Sequence, residues 1–211
     1  MKTSTILNVA LAIALVFLGY KLAVTGGVKA QEQDTSEVVL NNILERTSVR
    51  SYLDKSVEEE KIEKLLRAGM AAPTAKNKQP WHFVVVTEKD LLQKLAEANP
   101  HAAMAAKAPL AIVVCGDMTK ALDGDARDFW IQDCSAASEN ILLAATGLGL
   151  GAVWTSTYPS EERCAAVSEV LGLPETLIPL NTIVIGYPDG DVTPKDKWKE
   201  SNISYNMYEE E

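Results

Sequence analysis

Three features of this 211-residue chain predict an α+β domain, a sheet packed in two or three layers with helices. Two helical segments precede the first strand-like run. After that, continuous apolar runs of strand length alternate with helical patterns. The glycine-rich stretch Gly147-Leu-Gly149-Leu-Gly151 runs from helix into strand. A dinucleotide-binding loop has the spacing Gly-x-Gly-x-x-Gly and runs from strand into helix, so a doubly wound nucleotide fold is rejected, and the glycines read as a helix cap and a tight turn.

Residues 1–30 lie before the fold. Lys2 is followed by an almost wholly apolar run at residues 6–18, which continues past Gly19, Tyr20 and Lys21 to Val24. This is a signal peptide, with Val28-Lys29-Ala30 as a small-x-small cleavage site before Gln31, or an uncleaved membrane anchor just long enough to span a bilayer. Lys2 on one side and Lys21 and Lys29 on the other leave the charge rule for orientation nearly balanced. The expected location is the extracytoplasmic side, exported or anchored, and the alternative is an anchored domain facing the cytoplasm. No twin-arginine pair and no cysteine occurs in this region. Residues 31–37 are polar and acidic and are expected to be a linker, which leaves residues 38–211 as the folded domain.

Val38, Val39, Leu40, Ile43 and Leu44 mark a first amphipathic helix that breaks near Arg46. Ser56 followed by Glu59 reads as a capping box for a second helix, carried by Ile62, Leu65, Leu66, Gly69 and Met70. The loop at residues 72–81 reads Ala-Pro-Thr-Ala-Lys-Asn-Lys-Gln-Pro-Trp, and its two prolines deny it regular structure. It presents Thr74, Asn77 and Gln79 before the large aromatic Trp81. It is either a polar connector with an anchoring tryptophan or a docking surface for something polar and planar.

Strands are expected at residues 82–87, 110–115, 152–155 and 182–186. Helices are expected around Leu91, Leu92 and Leu95, at residues 126–147 and at residues 160–171. The longest of these carries Trp130, Ile131, Cys134, Ala137, Ile141, Leu142 and Ala145 near helical spacing. The tail after Pro188 is polar, with Trp198, Tyr205 and Tyr208 as anchors on a neighbour.

Composition narrows the chemistry. With 20 Lys+Arg against 29 Asp+Glu, a net charge of -9 disfavours nucleic acid, and any anion must be held by a local basic cluster. Hydrophobic content of 47% suits one domain with a full core. Cys115, Cys134 and Cys164 show no Cys-x-x-Cys spacing and read as buried thiols. His82 and His101 are the only histidines, too few for a typical zinc site, and they argue against a Ser-His-Asp hydrolase. No paired-carboxylate, Cys-His or metal constellation is apparent, so an enzyme here draws its reactivity from a bound cofactor. Arg46 and Arg50, four apart with Ser48 between them at the break after the first helix, suit a phosphate, or are simply two solvated arginines. Lys195 and Lys197 add weight to an anion.

Several motifs recur together in one order: Arg46-x-Ser48-x-Arg50, Ala72-Pro73-Thr74-x-x-Asn77-x-Gln79-Pro80-Trp81-x-Phe83, Gly147-Leu-Gly149 before Trp154, Ile185-Gly186-Tyr187-Pro188, and Pro194-Lys195-x-Lys197. From about Val38 onward they closely resemble the nitroreductase family of FMN-dependent oxidoreductases. The resemblance implies a central, mostly antiparallel sheet flanked by helices, a long central helix, and a homodimer with two FMN sites at the subunit interface. It implies that Arg46, Thr47, Ser48 and Arg50 hold the ribityl phosphate and nearby flavin atoms, with Lys195 and Lys197 closing on the phosphate. Thr74, Asn77 and Gln79 would approach from the partner subunit. Trp154, Thr155, Ser156 and Thr157 would run beside the isoalloxazine, presenting backbone N–H groups near N5 and the pyrimidine edge.

Two positions depart from the pattern: Lys197 stands where relatives often carry Arg, and Ser156-Thr157 where some carry Glu-Gly. The implied reaction is ping-pong. NADH or NADPH gives hydride to flavin N5 and leaves, and a small-molecule acceptor such as a nitroaromatic or quinone is then reduced. The flavin carries the chemistry, with no catalytic protein group and no metal. The alternative is a membrane-tethered or exported flavin-binding protein without nicotinamide-dependent turnover, touching the membrane only through its N-terminal segment.

Overall fold

The computed structural model describes residues 35–208, so the leader expected at residues 1–30 lies outside the described residues. Among the described residues no helix is long and apolar enough to cross a membrane. Residues 42–208 belong to one compact unit and residues 35–41 to another.

Helix α1, Thr35–Glu45, begins inside the expected linker, with Glu37 in its first turn, where the helix dipole favours a carboxylate. Helix α2 is Glu59–Met70. The expected capping box does not form: Glu58, not Ser56, stands at the N-cap, and no side chain caps the helix. Glu58 is engaged instead by Tyr187, whose hydroxyl donates to its carboxylate at 2.7 and 2.9 Å.

Four strands follow, β1 (Trp81–Val86), β2 (Leu110–Asp117), β3 (Gly151–Ser156) and β4 (Leu177–Gly186), in the spatial order β1-β2-β4-β3. Every neighbouring pair is antiparallel. The continuous apolar runs of β2 and β4 are central strands, covered on both faces. One layer contains α4, Phe129–Gly147, whose Trp130, Cys134, Ala137, Ile141 and Ala145 pack with Ile112, Val114, Ile183 and Ile185. On the opposite face α3 (Lys89–Ala98) and α5 (Glu161–Leu171) bring Leu92, Leu95 and Val167 against Ala111, Val113 and Cys115. The result is helix, sheet and helix in three layers.

Element ends move by a few residues from the periodicity. The long helix starts at Phe129 rather than Ala126, because Gly124–Ala126 is a separate 3₁₀ turn. Cys115 and Cys134 are buried as expected, but Cys164 is only half-buried. Burial pushes both buried thiols up to about 12, which removes thiolate chemistry from the core. Trp198, Tyr205 and Tyr208 stand exposed, at 74%, 84% and 80%.

Two local features shape the two ends of β3. The β2–β4 register shifts between Val114 and Cys115, whose partners are Asn181 and Pro179, so Leu180 is the extra residue of a bulge. The Leu180 carbonyl then accepts the N–H groups of both Thr157 and Tyr158 at 3.0 Å. At the start of β3, a Cβ on Gly151 would lie 2.6 Å from Val49, so only glycine lets the segment after α1 approach this closely.

Candidate functional site

Residues 46–53 run along the outside of β3 and then past the end of β4. The Val49 N–H donates to the Ala152 carbonyl at 3.1 Å, and Ser48 and Ala152 form a parallel bridge. The buried Tyr52 hydroxyl lies 2.6 Å from the Val49 carbonyl and 3.0 Å from that of Val184, and its one hydrogen serves the two acceptors. Burial raises its pKa far above the ordinary value, so it acts as a permanent donor.

This anchoring buries Val49 and leaves the next residue, Arg50, exposed, with Nη1 3.3 Å from the Ser48 carbonyl. Arg46 turns elsewhere: its Nε lies 3.4 Å from the Glu139 carboxylate on α4. The two arginines of the motif are thus held apart. Thr47 lines a cavity of about 340 Å³ together with Val49, Leu150, Pro188 and Pro194. Lys195 and Lys197 follow Pro194 on the exposed tail.

Among the described residues β3 ends the sheet, and its outer edge has no strand partner beyond the bridge at Ala152. The carbonyls of Ala152 and Ser156 both face that edge, accepting from Val49 N–H and from Asn99 Nδ2 at 3.1 Å respectively. Because backbone polar groups alternate sides along a strand, the Trp154 N–H and C=O and the Ser156 N–H share the same open edge.

That edge borders a cleft of about 380 Å³ lined by Arg50, His101, Val153, Trp154, Thr155, Ser156 and Arg163. The Trp154 indole N–H donates to Ser156 Oγ at 3.1 Å, which fixes the ring along the strand. The Thr155 hydroxyl donates to the Thr182 carbonyl at 2.6 Å. Thr157 stands apart from these three: it is fully buried and its amide is committed to Leu180.

The loop at residues 72–81 is built separately. Lys76, Asn77 and Gln79 all have positive φ, at 50°, 53° and 48°, a conformation that non-glycine residues adopt only when the surroundings enforce it. The enforcement is visible. Asp133, buried in α4, accepts the Ala75 N–H at 2.9 Å; Thr74 Oγ1 accepts the Gln79 N–H at 3.1 Å; and Gln79 Nε2 donates to Asn77 Oδ1 at 2.9 Å. Trp81 is 7% exposed in the main core, so it is the anchor. Asn77 and Gln79 line a third cavity, of about 540 Å³, with Leu66, Met70, Phe83 and Lys120. The residues lining it are all different from those of the Arg50 cleft. Within one chain these are two separate cavities.

Asn99, His101 and Arg163 were not singled out as site residues by the sequence. Asn99-Pro100 does carry a local signal, since the Asn99 side chain caps the following 3₁₀ turn by accepting the His101 N–H at 3.1 Å. Arg163 has none, standing among charged residues at the start of an ordinary helix. Among the described residues no group of three or more His, Cys, Asp or Glu could hold a metal.

The nitroreductase family model matches residues 43–102 and 97–187 of the chain. A protein of Methanothermobacter thermautotrophicus named "Putative NADH dehydrogenase/NAD(P)H nitroreductase" is 45% identical over 166 residues, covering 78% of this chain and 85% of its own. The crystal structure of a protein of the same name from Bacteroides thetaiotaomicron is 49% identical, with a TM-score of 0.77 over 81% of this chain and 98% of that one. An FMN-dependent nitroreductase from Clostridium difficile is 30% identical, with a TM-score of 0.74 over 80% of this chain and 99% of its own.

Proposed function

The chain belongs to the nitroreductase family, and on that premise we propose that it is an FMN-dependent oxidoreductase that takes electrons from NADH or NADPH and gives them in a second half-reaction to an electron-poor small molecule, such as a nitroaromatic or a quinone. The observation that carries this reading is the cleft on the open edge of β3, where unpaired backbone groups and cationic side chains meet.

The residues present fit the cofactor. Trp154 and Ser156 offer edge N–H groups that the sheet does not use, and these suit the polar rim of a planar heterocycle. Arg50 lines the same cleft and would bring positive charge to a reduced ring system that gathers negative charge. Ser48, Thr47 and the Arg46 guanidinium, together with Lys195 and Lys197 on the tail, would hold the phosphate. Bound FMN would supply the two-electron hydride chemistry. The chain's own residues bind, orient and shield it. Ser156 is fixed from both sides, its carbonyl by Asn99 and its hydroxyl by the Trp154 indole.

A homodimer follows in the same reading. The Asn77 and Gln79 cavity of one copy, with Thr74 holding the Gln79 backbone, would complete the Arg50 cleft of the other, because the two cavities share no lining residue within one chain. We further propose that residues 1–30 export or anchor the domain, with a C-terminal reporter fusion to report its side of the membrane.

Residues 31–211 purified with FMN should be yellow and should bleach on anaerobic addition of NADH or NADPH. A protein that stays colourless after incubation with FMN would refute the flavin reading. A flavin that stays oxidised would favour a binding protein without nicotinamide-dependent turnover.

A further inference from the structure

In a chain of net charge -9, the cleft beside β3 is lined by two arginines and a histidine, and no carboxylate is among its lining residues. These basic side chains divide along the strand. Arg50 follows Val49, which is bonded to Ala152 at the start of β3, whereas His101 follows Asn99, which is bonded to Ser156 at its end. Arg163 is in the first turn of α5, after the Ser160 cap that accepts its N–H at 3.3 Å. A cation there is placed against the helix dipole, whose positive end lies at the same turn. Among the described residues its buried Nε has no hydrogen-bond partner. A buried, unmatched guanidinium N–H costs free energy until an acceptor reaches it.

FMN brings a single phosphate, which the reading above assigns to the segment around Arg46 and Ser48. That leaves the Arg163 guanidinium at the Ser156 end open to a second anion. We propose that Arg163, supported by His101, is an anion-receiving site that selects the reacting substrate by its negative charge: the carboxylate of an acidic acceptor, or a phosphate of the reduced nicotinamide. This rests on the oxidoreductase reading.

The test is Arg163→Gln in the FMN-loaded protein, with Arg163→Lys as the charge-retaining variant and thermal melting to confirm folding. The kinetic arms compare 4-nitrobenzoate with 4-nitrobenzamide as acceptors, and NADPH with NADH as reductants. The glutamine variant should raise KM about tenfold for the charged member of one pair, the loss of one charge-assisted contact, with KM for the neutral acceptor unchanged. Lysine should recover part of the loss. Calorimetric titration with 4-nitrobenzoate and 4-nitrobenzamide reads the acceptor site without turnover. Independently of any variant, rising salt should weaken the charged substrate more than the neutral acceptor.

Equal effects on 4-nitrobenzoate and 4-nitrobenzamide, together with equal effects on NADPH and NADH, would overturn the proposal. So would loss of FMN retention in Arg163→Gln with unchanged substrate preference, which would assign the site to the flavin's own phosphate. Failure of the oxidoreductase reading looks different: the wild-type protein would then turn over no acceptor at all, while the titration would still report whether the carboxylate binds through Arg163.

Discussion

The carboxylate of Asp133, buried in the long helix α4, accepts the backbone N–H of Ala75 at 2.9 Å. This single bond ties a core helix to the first residue of the 3₁₀ turn that carries Lys76 and Asn77 in left-handed conformations. The strain of that loop is stored against the core. Asp133→Ala should therefore lower stability by about 0.5–1.5 kcal/mol, the net worth of one hydrogen bond to a half-buried amide, and should loosen the loop. Asp133→Asn retains an acceptor oxygen and should lose less. Thermal melting with flavin retention as a second readout checks both.

Flavin retention should depend on the segment after α1 and not on charge in general. Arg46→Ala and Arg50→Ala are each expected to weaken FMN binding about tenfold or more, whereas Lys76→Ala, also a surface cation, should change it little. Fluorescence of released FMN on dilution measures the difference. Equal retention in all three would contradict the assigned phosphate and ring contacts.

If the two cavities come together across a dimer, defects in them should complement. Mixed dimers of an Arg50→Ala chain and an Asn77→Ala chain should contain one intact site, and each homodimer none. Differentially tagged chains, purified as the mixed species, are expected to bind FMN tightly at about half the wild-type stoichiometry.

Gly151 is the closest approach between the arginine segment and the sheet. Gly151→Ala places a Cβ 2.6 Å from Val49, so the Val49–Ala152 bond must lengthen or shift. A stability loss of about 1–3 kcal/mol is expected from the overpacking, together with weaker FMN retention. Gly149→Ala tests a different effect: its Cβ meets nothing within 4 Å, but its φ of +70° strains any L side chain, so it should destabilise while leaving flavin retention in the surviving folded protein unchanged.

Tyr187, Glu58 and Lys61 set a pH dependence. The Glu58 carboxyl is held below its ordinary value of 4.5, first by the Tyr187 hydroxyl, then by its own backbone, and further by Lys55 and Lys61. A depressed carboxyl contributes stability above the unfolded-state value and loses it as pH falls through the folded one. The stability gap between wild type and Glu58→Gln should therefore be constant above about pH 5 and close as the pH drops below 4.5. Denaturant melts across pH 3–7 provide the check.

Much of the fold was legible from local pattern. The five helices and three of the four strands fall close to the apolar periodicity, while β4 begins at Leu177, ahead of the run expected at residues 182–186. The capping box was misread because Ser56 and Glu59 satisfy a local rule, while Tyr187, which engages Glu58 instead, is 129 residues away. The loop at residues 72–81 was recognisable as special from its prolines and amides. Its left-handed residues were not, because none of the three is glycine and the force that holds them comes from Asp133 on another element.

The sequence by itself determined which segments are helix and strand, and which motifs travel together and hence the family. Those properties live in spacings of a few residues, or in residue types at fixed order. Only the tertiary structure decided that Arg46 turns to Glu139 while Arg50 opens onto β3, that β3 is the sheet's free edge, and that His101 and Arg163 share its cleft. Those outcomes depend on the strand order β1-β2-β4-β3 and on the bulge at Leu180, set by packing between segments far apart in the chain, and no local periodicity encodes them.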